Sequence, residues 1–282
     1  MRKLLTVLTC AALAAGCTST STPLSPAAAA TRSWIFTKAA LDAVTGNPAA
    51  RQLLAGARIY EILQGTETPS TAVPVVPTVS FKSFKDLQRT IDKHKLRPDA
   101  RAVIYDAEHW PQTPVDEQQS PVTFYDRAAD VAHHHGLLFI ATPAMDLVNV
   151  DRKSANPAQD FLSSDIDGAT ATNADVVDIQ AQSLEQDTAA YRSFVTAAAQ
   201  QIHATHPGAT VIAGLSTNPH GRPVPPATLA SDMTAVANDA AGFWMNIPDL
   251  GKCANCATPR PDVAVGALTD GHVANLFRSP GS

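Results

Sequence analysis

Short apolar segments alternate with longer segments of helical periodicity over most of the chain. The clearest apolar segments are rich in β-branched and aromatic residues and lie at 102–105, 136–142, 174–180, 210–215 and 242–247. Amphipathic periodicity predicts helices between them, at 84–95, 122–135, 188–206 and 226–240. Strands that are apolar nearly throughout and alternate with helices indicate a parallel sheet covered on both faces.

Additional strand candidates bring the count within reach of eight. They lie at 34–37, 58–64, 75–81 and 263–268. We therefore predict a single α/β domain, a (β/α)8 barrel of the TIM type, over residues 33–282, whose length matches the roughly 250 residues typical of that fold. A doubly wound open sheet is the alternative, but no Gly-rich phosphate loop follows any strand. The sequence therefore predicts no cofactor.

The first residues are predicted to direct export. A basic MRK start, an apolar run and small residues are typical of a signal peptide over residues 1–17. Its end, LAAGC, resembles a bacterial lipobox, which implies lipidation of Cys17 and attachment to the outer face of a membrane. Secretion after cleavage near residues 27–30 is the alternative. Residues 18–32 are rich in Ser, Thr and Pro and are expected to form a tether.

Composition limits the partners of the domain. The chain is 45% hydrophobic, has 17% charged residues and carries a formal net charge of -5. A mildly acidic surface without Lys/Arg clusters is expected, which argues against nucleic acid as a partner.

Polar residues end several of the predicted strands. Asp106 and Glu108 follow one strand, and Asp178, Gln180 and Gln182 follow another. Active sites of parallel barrels lie at the C-terminal ends of the strands, and residues two apart share a strand face. The two acids, with Trp110, are thus predicted to face a cleft, although capping of a helix or a surface ion pair would also explain them. Further strand-end residues in this arrangement are His109, Ser216, Asn218, His220, Trp244 and Asn246.

The stretch YDAEHWP resembles the D-x-x-D-x-D-x-E signature of family 18 glycoside hydrolases, the chitinases and endo-β-N-acetylglucosaminidases. The segments that follow resemble that family's fifth to eighth strands in order: LLFIATPA, DVVDIQAQS, VIAGLSTNP and AGFWMNI. The resemblance covers residues 101–248.

The resemblance implies a glycan substrate and a mechanism in which the substrate's N-acetyl oxygen is the nucleophile. Glu108 would then protonate the leaving oxygen, and Asp106 would hold the acetamido N–H. Burial and the negative charge of Asp106 would raise the pKa of Glu108. Trp244 would stack against a sugar ring, and Gln182 would donate a hydrogen bond to the acetamido oxygen. The predicted substrate-binding residues are Gln180, Gln182, Trp244, Asn246, Asp178, Trp110 and His109.

Two positions of the signature depart from the family. Arg101 and Ile104 stand where the family has aspartates. On the segment that resembles the sixth strand, Gln182 stands in place of a tyrosine and Ser183 in place of an asparagine or aspartate. This pattern fits a divergent hydrolase, and it also fits a barrel that binds glycan without cleaving it. A third possibility is two-carboxylate hydrolysis by Glu108 with Asp178 or Asp146.

The remaining cysteines and the histidine run are predicted to be structural. Cys253 and Cys256 form a lone C-x-x-C in a loop, which in an exported protein favours a disulfide over a metal site. Residues 133–135 are consecutive histidines that precede Gly136, and they are expected to end a helix, because neighbouring helical side chains diverge. No metal site is predicted.

Overall fold

The computed structural model describes residues 32–151, 153–248 and 258–277. Eight parallel strands pair in chain order and close into a barrel, so the predicted (β/α)8 fold is confirmed. The strands are β1 (Ser33–Thr37), β2 (Arg58–Ile62), β3 (Val76–Phe81), β4 (Ala102–Tyr105), β5 (Leu138–Ala141), β6 (Val176–Ile179), β7 (Thr210–Ser216) and β8 (Gly242–Asn246).

Helices surround the barrel. They are α1 (Lys38–Thr45), α2 (Pro48–Leu54), α3 (Phe84–Asp92), α4 (Val115–Gln119), α5 (Pro121–His134), α6 (Pro157–Ser164), α7 (Ile166–Thr170), α8 (Thr188–Thr205), α9 (Pro226–Ala235), α10 (Pro261–Leu268) and α11 (Gly271–Phe277). Short 3-10 turns lie at Met145–Asn149, Ala171–Asn173 and Pro219–Gly221.

Alternation along the strands separates two apolar layers. Ile35, Ile104 and Ile212 belong to the cluster that fills the barrel interior. Their neighbours Trp34 and Val103 point outward and pack in the larger cluster beneath the helices. Both faces of every strand are covered, so the strands consist of apolar residues at nearly every position. This is why the strands could be predicted from the sequence.

The prediction of a strand at 263–268 is wrong. These residues lie in α10, which begins with Pro261 and Asp262. An apolar segment of this length has no distinguishing periodicity, and proline at the first helical position together with an acidic first turn favours a helix. The strand that completes the barrel is β1, which pairs with β2 and β8.

A buried carboxylate joins β4 to the start of α3. Glu117 in α4 accepts hydrogen bonds from the backbone N–H groups of Phe84 (2.7 Å) and Lys85 (3.2 Å) and from the hydroxyl of Tyr105 (2.8 Å). Ser83, the N-cap residue, makes no side-chain cap of its own and instead donates to Glu117 at 3.1 Å. Glu117 therefore supplies the cap from a different loop, and it fixes the loop after β4 against β3.

The barrel forms one compact unit. All eight strands lie within the unit Thr31–Ser282. A chain that begins at Thr31 therefore contains the whole core and is expected to fold by itself. Among the described residues, no helix has the length and apolar character needed to cross a membrane. The predicted signal peptide and Cys17 lie outside the described residues.

Candidate active site

Asp106 is the first residue after β4 and points into the mouth of the barrel. Its side chain is buried, and its Oδ1 accepts hydrogen bonds from Thr142 Oγ1 (3.1 Å) and Gln180 Nε2 (3.0 Å). Gln180 also donates to the Thr142 carbonyl at 2.7 Å. Both hydrogen bonds use the same carboxylate oxygen, so Oδ2 is left for another donor. Burial raises the pKa of Asp106, and the hydrogen bond from Thr142 opposes this shift.

Glu108 lies beside Asp106 and is half-buried. Burial, followed by the negative charges of Asp106 and Asp146, raises the pKa of Glu108 to about 8, and the charge of Lys82 acts in the opposite direction. This is the direction expected from the sequence. A carboxyl group that keeps its proton near neutral pH can donate it to a leaving group.

The loop after β4 is fixed by Thr113. Its hydroxyl oxygen accepts hydrogen bonds from Trp110 Nε1 (2.8 Å) and Glu108 N (3.3 Å), and it donates to the Lys82 carbonyl (2.8 Å). Gln118 Nε2 donates to the carbonyls of Trp110 (2.9 Å) and Thr113 (2.6 Å). The backbone that carries Glu108 is therefore tied to the end of β3.

Lys82 is a site residue that sequence reasoning missed. It directly follows β3, and its Nζ lies 4.0 Å from the centroid of the Trp110 ring. Its charge lowers the pKa values of both Asp106 and Glu108. The available signal was its position after a strand, the same criterion that selected the two acids.

Asp146 lies in the loop after β5 and faces Glu108. Its Oδ1 accepts a hydrogen bond from the His109 backbone N–H at 2.9 Å. The His109 side chain is exposed, so this residue contributes its backbone to the arrangement. His220 is also exposed and has a positive φ of 50°.

Asp178 lies inside the barrel, at the level of Asp106. Tyr105 pairs with Ala141 and Ala141 with Val177, so Asp106, Thr142 and Asp178 follow each other across three strands. The side chain is fully buried, and neither carboxylate oxygen has a hydrogen-bond partner within the described ranges. Burial, followed by the charge of Asp106, raises the pKa of Asp178 well above its ordinary value. A neutral carboxylic acid fits this position.

Gln182 occupies the space that Gly214 leaves open on β7. A Cβ atom at residue 214 would lie 2.6 Å from Cδ of Gln182. The absence of a side chain at Gly214 therefore lets the Gln182 amide reach the barrel mouth. Sequence reasoning selected Gln182 and did not recognise its dependence on this glycine.

The end of β8 contributes Trp244 and Asn246. Trp244 is half-buried and packs against the apolar cluster of the barrel interior, and its Nε1 has no hydrogen-bond partner in the part of the chain that the structure describes. Asn246 is half-buried, and its carbonyl accepts from the Thr217 N–H at 3.0 Å. Both residues are thus at the predicted end of the barrel. Cys253 and Cys256 lie outside the described residues.

Glu185 is a further buried acid that the sequence did not reveal. Its Oε1 accepts a hydrogen bond from the Ser216 N–H at 2.7 Å, while its buried Oε2 has no partner among residues 32–151, 153–248 and 258–277. Burial raises the pKa of Glu185 to about 9, and neighbouring Asp232 adds to the effect. Because the ordinary value is 4.5, the folded protein keeps a proton that the unfolded chain loses.

We expect Glu185→Gln to stabilise the protein above about pH 6. The free energy of unfolding of the wild type should fall as pH rises from about 4.5 to 9, because in this range the unfolded chain releases the proton of Glu185 while the folded protein keeps it. Glutamine is neutral at every pH, so the variant should lack much of that loss, on the order of 3 kcal/mol by pH 8. Urea unfolding at pH 5, 7 and 8.5 measures it. Asp130→Asn, at an exposed helical position, is the control; equal pH slopes for Glu185→Gln and wild type would contradict the prediction.

Comparisons with known proteins return structural neighbours of low sequence identity. No protein-family model matches the sequence, and a search of curated proteins finds no match. Among solved structures, a chitinase from Chromobacterium violaceum is similar with a TM-score of 0.46 and 12% identity, covering 85% of this chain and 99% of that one. The catalytic domain 2 of the group II chitinase from Ostrinia furnacalis has a TM-score of 0.46 and 10% identity, with 89% and 98% covered. The PgaB (BpsB) glycoside hydrolase domain from Bordetella bronchiseptica has a TM-score of 0.46 and 13% identity, with 84% and 98% covered.

Proposed function

We propose that this protein is an exported glycoside hydrolase that cleaves a glycan containing N-acetylated amino sugars, with Glu108 as the general acid. One observation carries the proposal. Asp106 and Glu108 lie together at the C-terminal end of β4, where burial raises the pKa of both carboxyl groups and the negative charge of Asp106 raises that of Glu108 further. A proton held near neutral pH beside an oriented carboxylate is what acid catalysis of this type requires.

The arrangement of Asp106 supports a substrate-assisted reaction. Thr142 and Gln180 bind its Oδ1, so Oδ2 is free to accept the N–H of a substrate acetamido group. That contact would orient the acetamido oxygen toward the anomeric carbon. Glu108 would give its proton to the glycosidic oxygen as the C–O bond breaks and the acetamido oxygen bonds to the anomeric carbon. Water would then open the resulting ring while the Glu108 carboxylate takes its proton, with net retention of configuration.

Asp178 is an inward-facing acid on a different strand from the missing signature acids. Ile104 is buried in the barrel interior, so no carboxylate lies below Asp106 on its own strand. Asp178 reaches the same level from β6 and remains neutral because of its burial. A neutral acid at this level adds no negative charge beside Asp106, so it does not oppose the charged form of that residue.

A second candidate, glycan binding without cleavage, is favoured by the absent signature acids. Arg101 is exposed at the opposite end of β4 and has no role in the cleft. Trp244 and Gln182 would bind a sugar in either case. Two-carboxylate hydrolysis by Glu108 and Asp146 is the third candidate, because their charges interact.

Paired oligosaccharides distinguish the candidates. The barrel from Thr31 onward is incubated with chitin oligosaccharides and with the same oligosaccharides after complete N-deacetylation. We expect cleavage at least 100-fold faster with the N-acetyl group, since it supplies the nucleophile. Similar cleavage of both would support Glu108 with Asp146, and binding without cleavage of any glycan would support the non-catalytic candidate.

Export and anchoring are part of the same proposal and rest on the N-terminal sequence. The basic start, the apolar run and LAAGC support lipidation of Cys17. Mass spectrometry of the protein purified from bacterial membranes should show a lipid-modified cysteine at the mature N-terminus. A mature chain that begins near residues 27–30 would instead support secretion.

A further inference from the structure

Lys82 lies level with Asp106 on the neighbouring strand. Phe81, the last residue of β3, pairs with Tyr105, the last residue of β4, and the Asp106 N–H donates to the Phe81 carbonyl at 2.8 Å. The next residue on each strand is Lys82 or Asp106. Paired residues of parallel strands point to the same face, and Ile104, two residues before Asp106, lies in the barrel interior. Lys82 therefore faces the barrel mouth beside Asp106.

Both ends of Lys82 are attached to the loop that carries Glu108. Its Nζ lies 4.0 Å from the centroid of the Trp110 ring, whose negative face attracts a cation. Its carbonyl accepts a hydrogen bond from the Thr113 hydroxyl at 2.8 Å, and that hydroxyl oxygen accepts from the Glu108 N–H at 3.3 Å. The ammonium group is thus held at a defined place relative to the two acids.

The charge of Lys82 acts on both acids without a direct bond to either. Among the residues that the structure describes, Lys82 forms no salt bridge. Burial raises the pKa values of Asp106 and Glu108, and the positive charge of Lys82 opposes that rise in both. The Oδ2 atom of Asp106 therefore stays free for a substrate while the residue gains a neighbouring cation.

Other titratable groups around Asp106 bring no positive charge. They come from its own loop, from the loop after β5, from β6 and from α5: Glu108, Asp146, Asp178 and Tyr125. Each of them is an acid or a phenol, which is neutral or negative at every pH. Together with burial they favour the protonated form of Asp106. The positive charge of Lys82, from β3, works against all of them.

We propose that Lys82 is a positioning residue that holds Asp106 in its charged form beside a protonated Glu108. The proposal rests on the proposed function for the role of Asp106, and it names a residue outside the signature that the chain resembles. A charged carboxylate is a stronger acceptor for an acetamido N–H than a neutral acid. Lys82 would act through its charge, so its removal should change which of the two acids carries the proton and leave the backbone of the site in place.

Lys82→Met should move the whole pH profile of kcat/KM to higher pH. Methionine keeps an unbranched apolar side chain over Trp110 and removes the charge. The pKa values of Asp106 and Glu108 should then both rise. The low-pH limb follows ionisation of Asp106, and the high-pH limb follows loss of the Glu108 proton. We expect both limbs to move by about 0.5 to 1 pH unit, the size expected for one charge several ångströms away near the protein surface.

Titration of Asp106 by NMR tests the same effect without turnover. The carboxyl groups of isotopically labelled aspartate are followed against pH, and Asp106→Asn assigns the signal. The midpoint of Asp106 should rise in Lys82→Met and return to the wild-type value in Lys82→Arg, which keeps the charge. Lys93→Met removes an exposed lysine at the end of α3 and should leave the midpoint and the profile unchanged. Circular dichroism verifies the fold of each variant.

An unchanged Asp106 midpoint in Lys82→Met would overturn the proposal, whether or not the protein cleaves a glycan. A lower rate with both limbs of the profile unmoved would also overturn it, and would assign Lys82 to packing on Trp110. A raised midpoint in a protein that cleaves no glycan would support the effect of Lys82 on Asp106 and contradict the proposed hydrolysis. The two proposals can therefore fail independently.

Discussion

Glu108→Gln is expected to lower kcat by about 10³-fold on glycans with an unactivated leaving group. Glutamine keeps the size and polarity of the side chain but has no acidic proton, so the glycosidic oxygen would leave as an alkoxide. KM should change little, because the reason for the loss lies in the transition state. Initial rates on a chitin oligosaccharide, with circular dichroism to verify folding, provide the measurement.

A substrate with an activated leaving group separates acid catalysis from a structural role. A dinitrophenyl glycoside needs little protonation, so Glu108→Gln should retain most of the rate on that substrate. Asp151→Asn changes an exposed carboxylate in the loop after β5 and serves as the matched control. A loss of the same size on both kinds of substrate, or near-normal activity of Glu108→Gln on the oligosaccharide, would show that Glu108 is not the general acid.

Gly242→Ala is expected to prevent normal closure of the barrel. Gly242 pairs with Ser33 where β8 meets β1, and a Cβ atom at residue 242 would lie 1.7 Å from the Ser33 carbonyl oxygen and 2.8 Å from its nitrogen. The obstacle is backbone, which cannot rotate away as a side chain can. We expect a loss of at least 4 kcal/mol in the free energy of unfolding, or failure to fold.

Urea unfolding of Gly242→Ala beside Gly56→Ala measures this effect. A Cβ atom at Gly56 would meet nothing within 4 Å, so the control should differ from wild type by less than about 1 kcal/mol. A cooperative transition of Gly242→Ala at the wild-type midpoint would contradict the close approach of β1 and β8.

The fold could be predicted from the sequence because the patterns that indicate it involve neighbouring residues. Strands covered on both faces must be apolar at nearly every position, and the residues of β4 to β8 stand out for this reason. The ends of the barrel were harder to predict. A short apolar run such as 263–268 fits a strand or a buried helix equally well until its neighbours are known.

The candidate site could be predicted from the sequence only in part. Asp106 and Glu108 were identified because they break an apolar run at a strand end, and Gln180 and Trp244 follow the same rule. Lys82, the dependence of Gln182 on Gly214, and the buried Glu185 were missed. Lys82 had a local signal, since it directly follows a strand, but its contact with Trp110 joins separate segments. The contacts of Gln182 with Gly214 and of Glu185 with Ser216 also join separate segments, and no local pattern encodes them.

By itself, the sequence determined the alternation of strands and helices, the barrel class and the strand ends at which acids lie, because hydrophobic periodicity and strand polarity are properties of neighbouring residues. Only the tertiary structure decided which charges meet. Closure of the barrel places Asp178 at the level of Asp106 and Lys82 over Trp110. The physical reason is that burial and Coulomb interactions depend on distance through space, and the barrel sets those distances.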